Sequence, residues 1–191
     1  RRSSDLIEQH DHYIKQTYRN RCTIAGPDGE LALSIPTVKP DTLKCPMKDI
    51  RISDHGNWRH LHWNAIESAY NNTPFFEYYK DDFRPFYEKK YEFLIDFNEE
   101  ICRLVCQLID IQPNIERTSA YKMEFSAEET DFRESIHPKK DFRTTDPEFS
   151  PQPYYQVFES KLGFLPNLSI IDLLFNMGPE SLLVLKKPTR L

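Results

Sequence analysis

Along this chain the apolar residues switch between two spacings. Leu31, Leu33 and Ile35 alternate with Ala32 and Ser34 up to Pro36, and Ile50 and Ile52 alternate with Asp49, Arg51 and Ser53. A period of two places successive side chains on opposite faces, so both stretches predict half-buried strands. Residues 6–10 and 22–25 read as two more short strands, and Gly26-Pro27-Asp28-Gly29 supplies a turn between the second of them and the Leu31 strand. From residue 57 the period lengthens. Trp58, Leu61, Ala65, Ile66 and Ala69 recur at helical spacing behind a capping Asn57. Thr73 and Pro74 open a second helix with an aromatic face of Phe75, Phe76, Tyr79, Phe83, Phe86 and Tyr87. Leu94, Phe97, Ile101, Leu104 and Leu108 then recur at alternating spacings of three and four, which is the clearest helix of the chain and ends near Pro113.

Residues 116–121 fit a short strand. From 122 to 153 the chain is polar and charged, with Pro138, Pro147, Pro151 and Pro153, and reads as loop with one helical turn, the kind of long segment that often serves as a lid. Residues 154–158 form an apolar run stopped by Gly163. The last helix has signals at both ends: Ser169 as N-cap, Asp172 three residues on as a carboxylate variant of the capping box, Leu168 facing Leu173 as a staple, and Gly178-Pro179 as the stop. Together these elements predict one mixed α and β (α+β) domain over 1–191. Its sheet is largely antiparallel, built from the N-terminal strands and covered by helices; a doubly wound α/β arrangement stays open.

Composition narrows the class. A chain of 191 residues with 39% hydrophobic and 13% aromatic content can bury a real core. Its net charge of −5 argues against nucleic-acid binding, which needs a basic face, while leaving room for a local cationic site that holds a small anionic ligand. No apolar run approaches the roughly 20 residues of a membrane helix, so no membrane insertion is expected. Cys22, Cys45, Cys102 and Cys106 show no C-x-x-C spacing and suit reduced thiols in a cytoplasmic setting. The start at Arg1, without Met, suggests that a natural N-terminal segment precedes it.

Several groups carry candidate chemistry. Tyr18, Arg19, Asn20 and Arg21 place two guanidinium groups, an amide and a phenol in one short run, where Arg19 and Arg21 share a face and suit a phosphate or carboxylate clamp; a solvated edge is the plain alternative. Asp131, Arg133, His137, Lys139 and Lys140 combine a group titrating near neutrality with anion ligands, and His137 poised by Asp131 suits a general base. A mobile charged loop is the plain reading there. His60 and His62 point apart on a helix and His10 and His12 lack completing ligands, so no metal site is expected. Cys22, beside Arg19 and Arg21, is a candidate low-pKa nucleophile, against a plain packing role. On the last helix, Ser169, Asp172 and Asn176 share a face; capping accounts for the first two, Asn167, Asn176, Tyr154 and Gln156 have no such explanation, and Tyr154, Gln156, Asn167, Asp172 and Asn176 suit ligand contacts.

The runs Ile7-Glu8-Gln9-His10, Tyr18-Arg19-Asn20-Arg21-Cys22, residues 58–63, Ala69-Tyr70 with Pro74-Phe75-Phe76, residues 131–140 and above all residues 154–179 resemble the WbqC-like family. The likeness is densest over 167–178. The resemblance implies a role in bacterial surface-polysaccharide (O-antigen) biosynthesis, with transfer of glycine or another acyl or amino-acyl group to a sugar as the suggested reaction. It implies a small anionic or sugar-nucleotide ligand and an enzyme partner from the same pathway, and names no cofactor. The chain lacks the Pro- and Tyr-containing strand that usually precedes Leu6 in this family. A non-catalytic binding or scaffold protein is the other reading, and it predicts an exposed aromatic patch around Phe75, Phe76 and Tyr79.

Overall fold

At Pro27-Asp28 the chain reverses between Gly26 and Gly29, and the strands on either side, β2 (Arg21–Gly26) and β3 (Gly29–Ser34), pair antiparallel with Cys22 opposite Leu33 and Ile24 opposite Leu31. Gly29 sits at φ +126°, a conformation side chains disfavour, so the turn needs glycine at that position. The computed structural model describes residues 5–42, 44–145 and 150–186; Pro147 of the polar loop and the start of the chain lie outside them. A second strand pair, β1 (Asp5–Ile7) with β4 (Ile115–Arg117), is parallel. The fold is therefore mixed α and β, but the expected antiparallel sheet does not form: among the described residues there are two separate two-stranded pairs. Residues around Ile50 and Ile52 do run extended, yet they touch their neighbours only through single bridges, Thr37 with Ile52 and Arg51 with Phe93. Pro36 and Pro40 bracket the Thr37 partner segment without an N–H to donate, which limits the ladder there.

The helices are α1 (Trp58–Tyr70), α2 (Phe76–Phe83), α3 (Pro85–Glu88), α4 (Leu94–Leu108), α5 (Phe142–Thr145), α6 (Glu159–Leu162), α7 (Ile170–Met177) and α8 (Ser181–Leu185). Thr73-Pro74 does not start α2. Thr73 closes α1 instead, its hydroxyl donating to Tyr70 O at 2.7 Å, and the Phe75 N–H is drawn to Phe175 O at 3.1 Å. The helix that follows breaks at Pro85, which has no N–H for the preceding turn. Helix α5 is the single helical turn expected in the polar loop.

Two apolar cores flank α4. One gathers Ile24 and Leu33 from the hairpin with Trp63, Ile66 and Tyr70 of α1, Phe76 and Phe83 of α2, Val105 of α4 and Leu174 and Phe175 of α7. The other collects Ile35, Met47, Ile50, Ile52, Trp58 and Phe86 with Leu94, Ile95 and Phe97 at the start of α4. The alternating three-and-four spacing of α4 thus serves two cores at once. The β1–β4 pair is tied to the same helix by Arg117, which bonds buried Glu99 at 2.5 Å and Asp96 at 2.7 Å.

His62, on the inner face of α1, is 9% exposed, and burial pushes its pKa down to about 4 against weaker help from the Ser34 backbone. The unfolded chain takes up this proton below pH ~6.5, while the folded chain refuses it until about pH 4. Stability should therefore fall as pH drops through that window, by up to ~3 kcal/mol. Urea unfolding at pH 7 and pH 4.5 should show this loss in the wild type and a smaller one in His62→Gln.

Candidate functional site

The polar residues of the last helix converge on one carboxylate. Asp172 is 0% exposed; its Oδ1 accepts the Tyr70 hydroxyl at 2.8 Å, and its Oδ2 accepts the Tyr154 hydroxyl at 2.7 Å and Gln156 Nε2 at 3.2 Å. Tyr70 in turn accepts the Ala25 N–H at 3.2 Å. Gln156 also brackets Leu165, donating to its carbonyl at 2.9 Å and accepting its N–H at 2.8 Å. Asn176 donates to Asp172 O and accepts the Val157 N–H. Hairpin, α1, α7 and the 154–165 segment are thereby joined through side chains of α7 and its neighbours. Burial raises the pKa of Asp172 while its three donors oppose the rise, and burial with the adjacent carboxylate raises those of Tyr70 and Tyr154, so both phenols stay donors.

This geometry corrects the capping account of the helix start. Ser169 stands at the N-cap of α7 but its side chain makes no capping bond among the described residues; its N–H donates to Thr23 O at 2.7 Å rather than to Asp172, which faces the tyrosines. The ligand contacts expected from Tyr154, Gln156, Asp172 and Asn176 meet a network whose bonds are already made within the chain. Tyr70 was missed as a member of it; the available signal was a hydroxylated aromatic on an otherwise apolar helix face.

A second convergence lies on the surface. Residues 18–20 form a turn, and it is met from two remote parts of the chain: Asn167 Nδ2 reaches the Tyr18 hydroxyl at 3.3 Å, and Glu134 approaches Arg19 at 3.9 Å, alongside Asp11 at 3.5 Å. Asn167 sits at φ +60°, where asparagine is tolerated better than most residues, so backbone geometry accounts for part of its presence. Asn20 donates to Ile35 O at 3.0 Å, while its Oδ1 is buried with no hydrogen-bond partner among the described residues. A buried orphan acceptor is costly and points to a donor that completes it.

Other expected pairings are rearranged. Arg21 bonds Ser34 Oγ at 2.9 Å on the hairpin and Arg19 turns toward Asp11, so the two guanidinium groups do not form one clamp here. Arg133, held over the Tyr121 and Phe125 rings, takes both Asp131 oxygens and holds that carboxyl below its usual range. Asp131 thus orients Arg133 rather than His137. His137 Nδ1 accepts the Lys139 N–H at 3.0 Å, which leaves the neutral ring's proton on Nε2 and makes it a donor rather than a base. The Cys22 thiol is pushed up to about 11 by burial, the reverse of an activated nucleophile. His60 is exposed and His62 buried, and among the described residues no group of three His, Cys, Asp or Glu side chains is placed to hold a metal ion. Phe76 is 1% exposed and belongs to the core, and Phe75 and Tyr79 are half-buried, so the expected aromatic patch is not open; the neighbouring Tyr78, at 79%, is exposed.

This mixed α and β chain, with its N-terminal turn, its α4 helix and the polar loop that closes on Arg19, belongs to the WbqC-like protein family, whose model matches residues 4–139. Residues 154–179, expected to carry the densest family likeness, fall outside that match. The chain is also similar to "Uncharacterized protein Rv1507c" of Mycobacterium tuberculosis (strain ATCC 25618 / H37Rv), 24% identical over 196 aligned residues that span 92% of this chain and 84% of that protein. No solved structure matches it. Among the described residues no helix is long and apolar enough to cross a membrane.

Proposed function

We propose that this chain is a cytoplasmic transferase of bacterial surface-polysaccharide assembly: at the turn of residues 18–20 a hydroxyl or amine of a nucleotide-linked sugar attacks the carbonyl of an activated glycyl, amino-acyl or acyl donor, and the activating group leaves with the displaced electron pair. The observation that carries this reading is the orphan Asn20 Oδ1 next to Arg19, itself held only loosely by two acids. A zwitterion suits that arrangement. Its carboxyl group, free or in activated form, presents oxygen acceptors to the guanidinium, and its ammonium answers the amide oxygen and the Asp11 and Glu134 carboxylates. His137, three residues beyond Glu134, donates a hydrogen bond from Nε2–H to the oxygen that gains charge during transfer, with Arg133 and Lys139 in the same loop balancing anionic groups. The pathway is what the resemblance to the WbqC-like family suggests.

Calorimetry with glycine and with uridine-diphosphate sugars tests this. Wild type should bind glycine, and Arg19→Ala should weaken it by roughly 10-fold or more. His137→Ala should lower turnover by about 100-fold while ligand affinity changes less than about twofold. Binding without turnover in the wild type would establish the scaffold alternative, and no binding of either ligand class would overturn both.

A further inference from the structure

A cleft of about 400 Å³ opens between the start of α1 and the α3 region, with none of residues 18–20 in its lining, and it is large enough for a small ligand. Arg59, Arg84 and Lys90 line it, opposed by Asp54 and Glu88. Its polar imbalance has one sign. Among the buried side-chain atoms without a partner among the described residues, Arg59 Nε and Trp63 Nε1 both belong to this lining, and both are donors. Trp63 is only 7% exposed, so bulk water does not satisfy its indole N–H. A ligand that settles here must bring acceptors; an ammonium or a metal ion would leave both donors bare.

Asp54 shows where a negative charge sits best. One of its oxygens accepts Arg59 Nη1 at 2.6 Å and the other accepts Lys90 Nζ at 2.7 Å, so this single exposed carboxylate bridges two cations. Arg84 is held less completely, through Nε to Glu88 at 2.9 Å. The Arg59 guanidinium is fixed 4.7 Å over the Trp58 ring, which sets its plane before any ligand arrives. Asn57 also lines the cleft at the α1 N-terminus, where no side chain caps the helix among the described residues and the helix dipole favours an anion.

We infer that this cleft is a binding site for a phosphate or diphosphate group of a small soluble ligand, which displaces Asp54 from Arg59 and Lys90 and accepts hydrogen bonds from Arg59 Nε and the Trp63 indole. Asp54 acts as an internal competitor: it keeps the cations paired in the empty site and moves aside when a more highly charged oxyanion enters. This assignment stands apart from the transferase reading and uses none of its residues.

Titration of the full chain with inorganic pyrophosphate, followed by calorimetry and by the Trp63 indole resonance (assigned with Trp63→Phe), tests it. Wild type should bind, and the Trp63 N–H resonance should move downfield on saturation. Asp54→Asn, which removes the competitor, should tighten binding about fivefold, whereas Lys90→Ala and Arg84→Ala, both at exposed side chains, should each weaken it about fivefold with unchanged thermal unfolding. Uridine diphosphate binding more tightly than pyrophosphate would identify a nucleotide as the source of the phosphate; equal affinities would identify a simple phosphorylated ligand. Absent binding, or affinity that Asp54→Asn leaves unchanged, would overturn the assignment.

Discussion

Asp172→Ala should destabilise the fold by about 3–5 kcal/mol, roughly a 10 °C fall in midpoint, measured by chemical and thermal unfolding. Among the described residues the carboxylate is the sole acceptor of the Tyr70 and Tyr154 hydroxyl protons, and both phenols stay behind when it is removed. Tyr70 cannot simply turn away, because its oxygen also receives the Ala25 N–H. Burying an uncompensated donor costs more than the net worth of the bond it loses. Asp172→Asn keeps the shape but places an amide N–H₂ where one of the two phenols now donates, so an intermediate loss is expected. Tyr154→Phe should cost about 1–2 kcal/mol, because it removes donor and demand together. An Asp172→Ala variant as stable as wild type would show that the network is incidental to the fold.

Gly178→Ala should produce a loss of similar size, about 3–5 kcal/mol, through two separate causes. Gly178 ends α7 at φ +53° and ψ −128°, a region that side chains disfavour. A Cβ there would also lie 2.5–2.6 Å from three atoms of the Phe75 ring, a rigid group that cannot flex out of the way. The causes separate in a double mutant: adding Phe75→Ala to Gly178→Ala should recover part of the loss by removing the clash, while the backbone strain remains. Unfolding of the single and double variants measures both parts, with Phe75→Ala alone supplying the reference.

What the sequence made legible was local. The β2–β3 hairpin, α1 and α4 each follow from a spacing or a turn signal contained within a few residues, and each formed close to where it was expected. The parallel β1–β4 pair was hidden because its partners are far apart; Gln9 and Thr118, which bond beside it, are separated by 109 positions. The same distance effect misled the reading of Asp172. A carboxylate three residues after a serine satisfies the local pattern of a capping box, but the tyrosine that claims it lies 102 residues away. Asn167 was marked as unexplained because a positive φ leaves no trace in residue spacing. Conversely, Tyr18 and Arg19 do meet the 131–140 loop and the 167 region, a convergence suggested only by the density of polar groups in each.

Helix α7 also sets the order in which this protein can become itself during synthesis. Leu174 and Phe175 are 0% exposed and lie in the core shared by the hairpin, α1, α2 and α4, all of which leave the ribosome earlier. Until Phe175 emerges, Ile24, Tyr70, Phe76 and Phe83 lack the apolar surface that covers them, and Tyr70 lacks its acceptor. The nascent chain thus carries an open, sticky core until α7 has emerged, a state that invites chaperone capture.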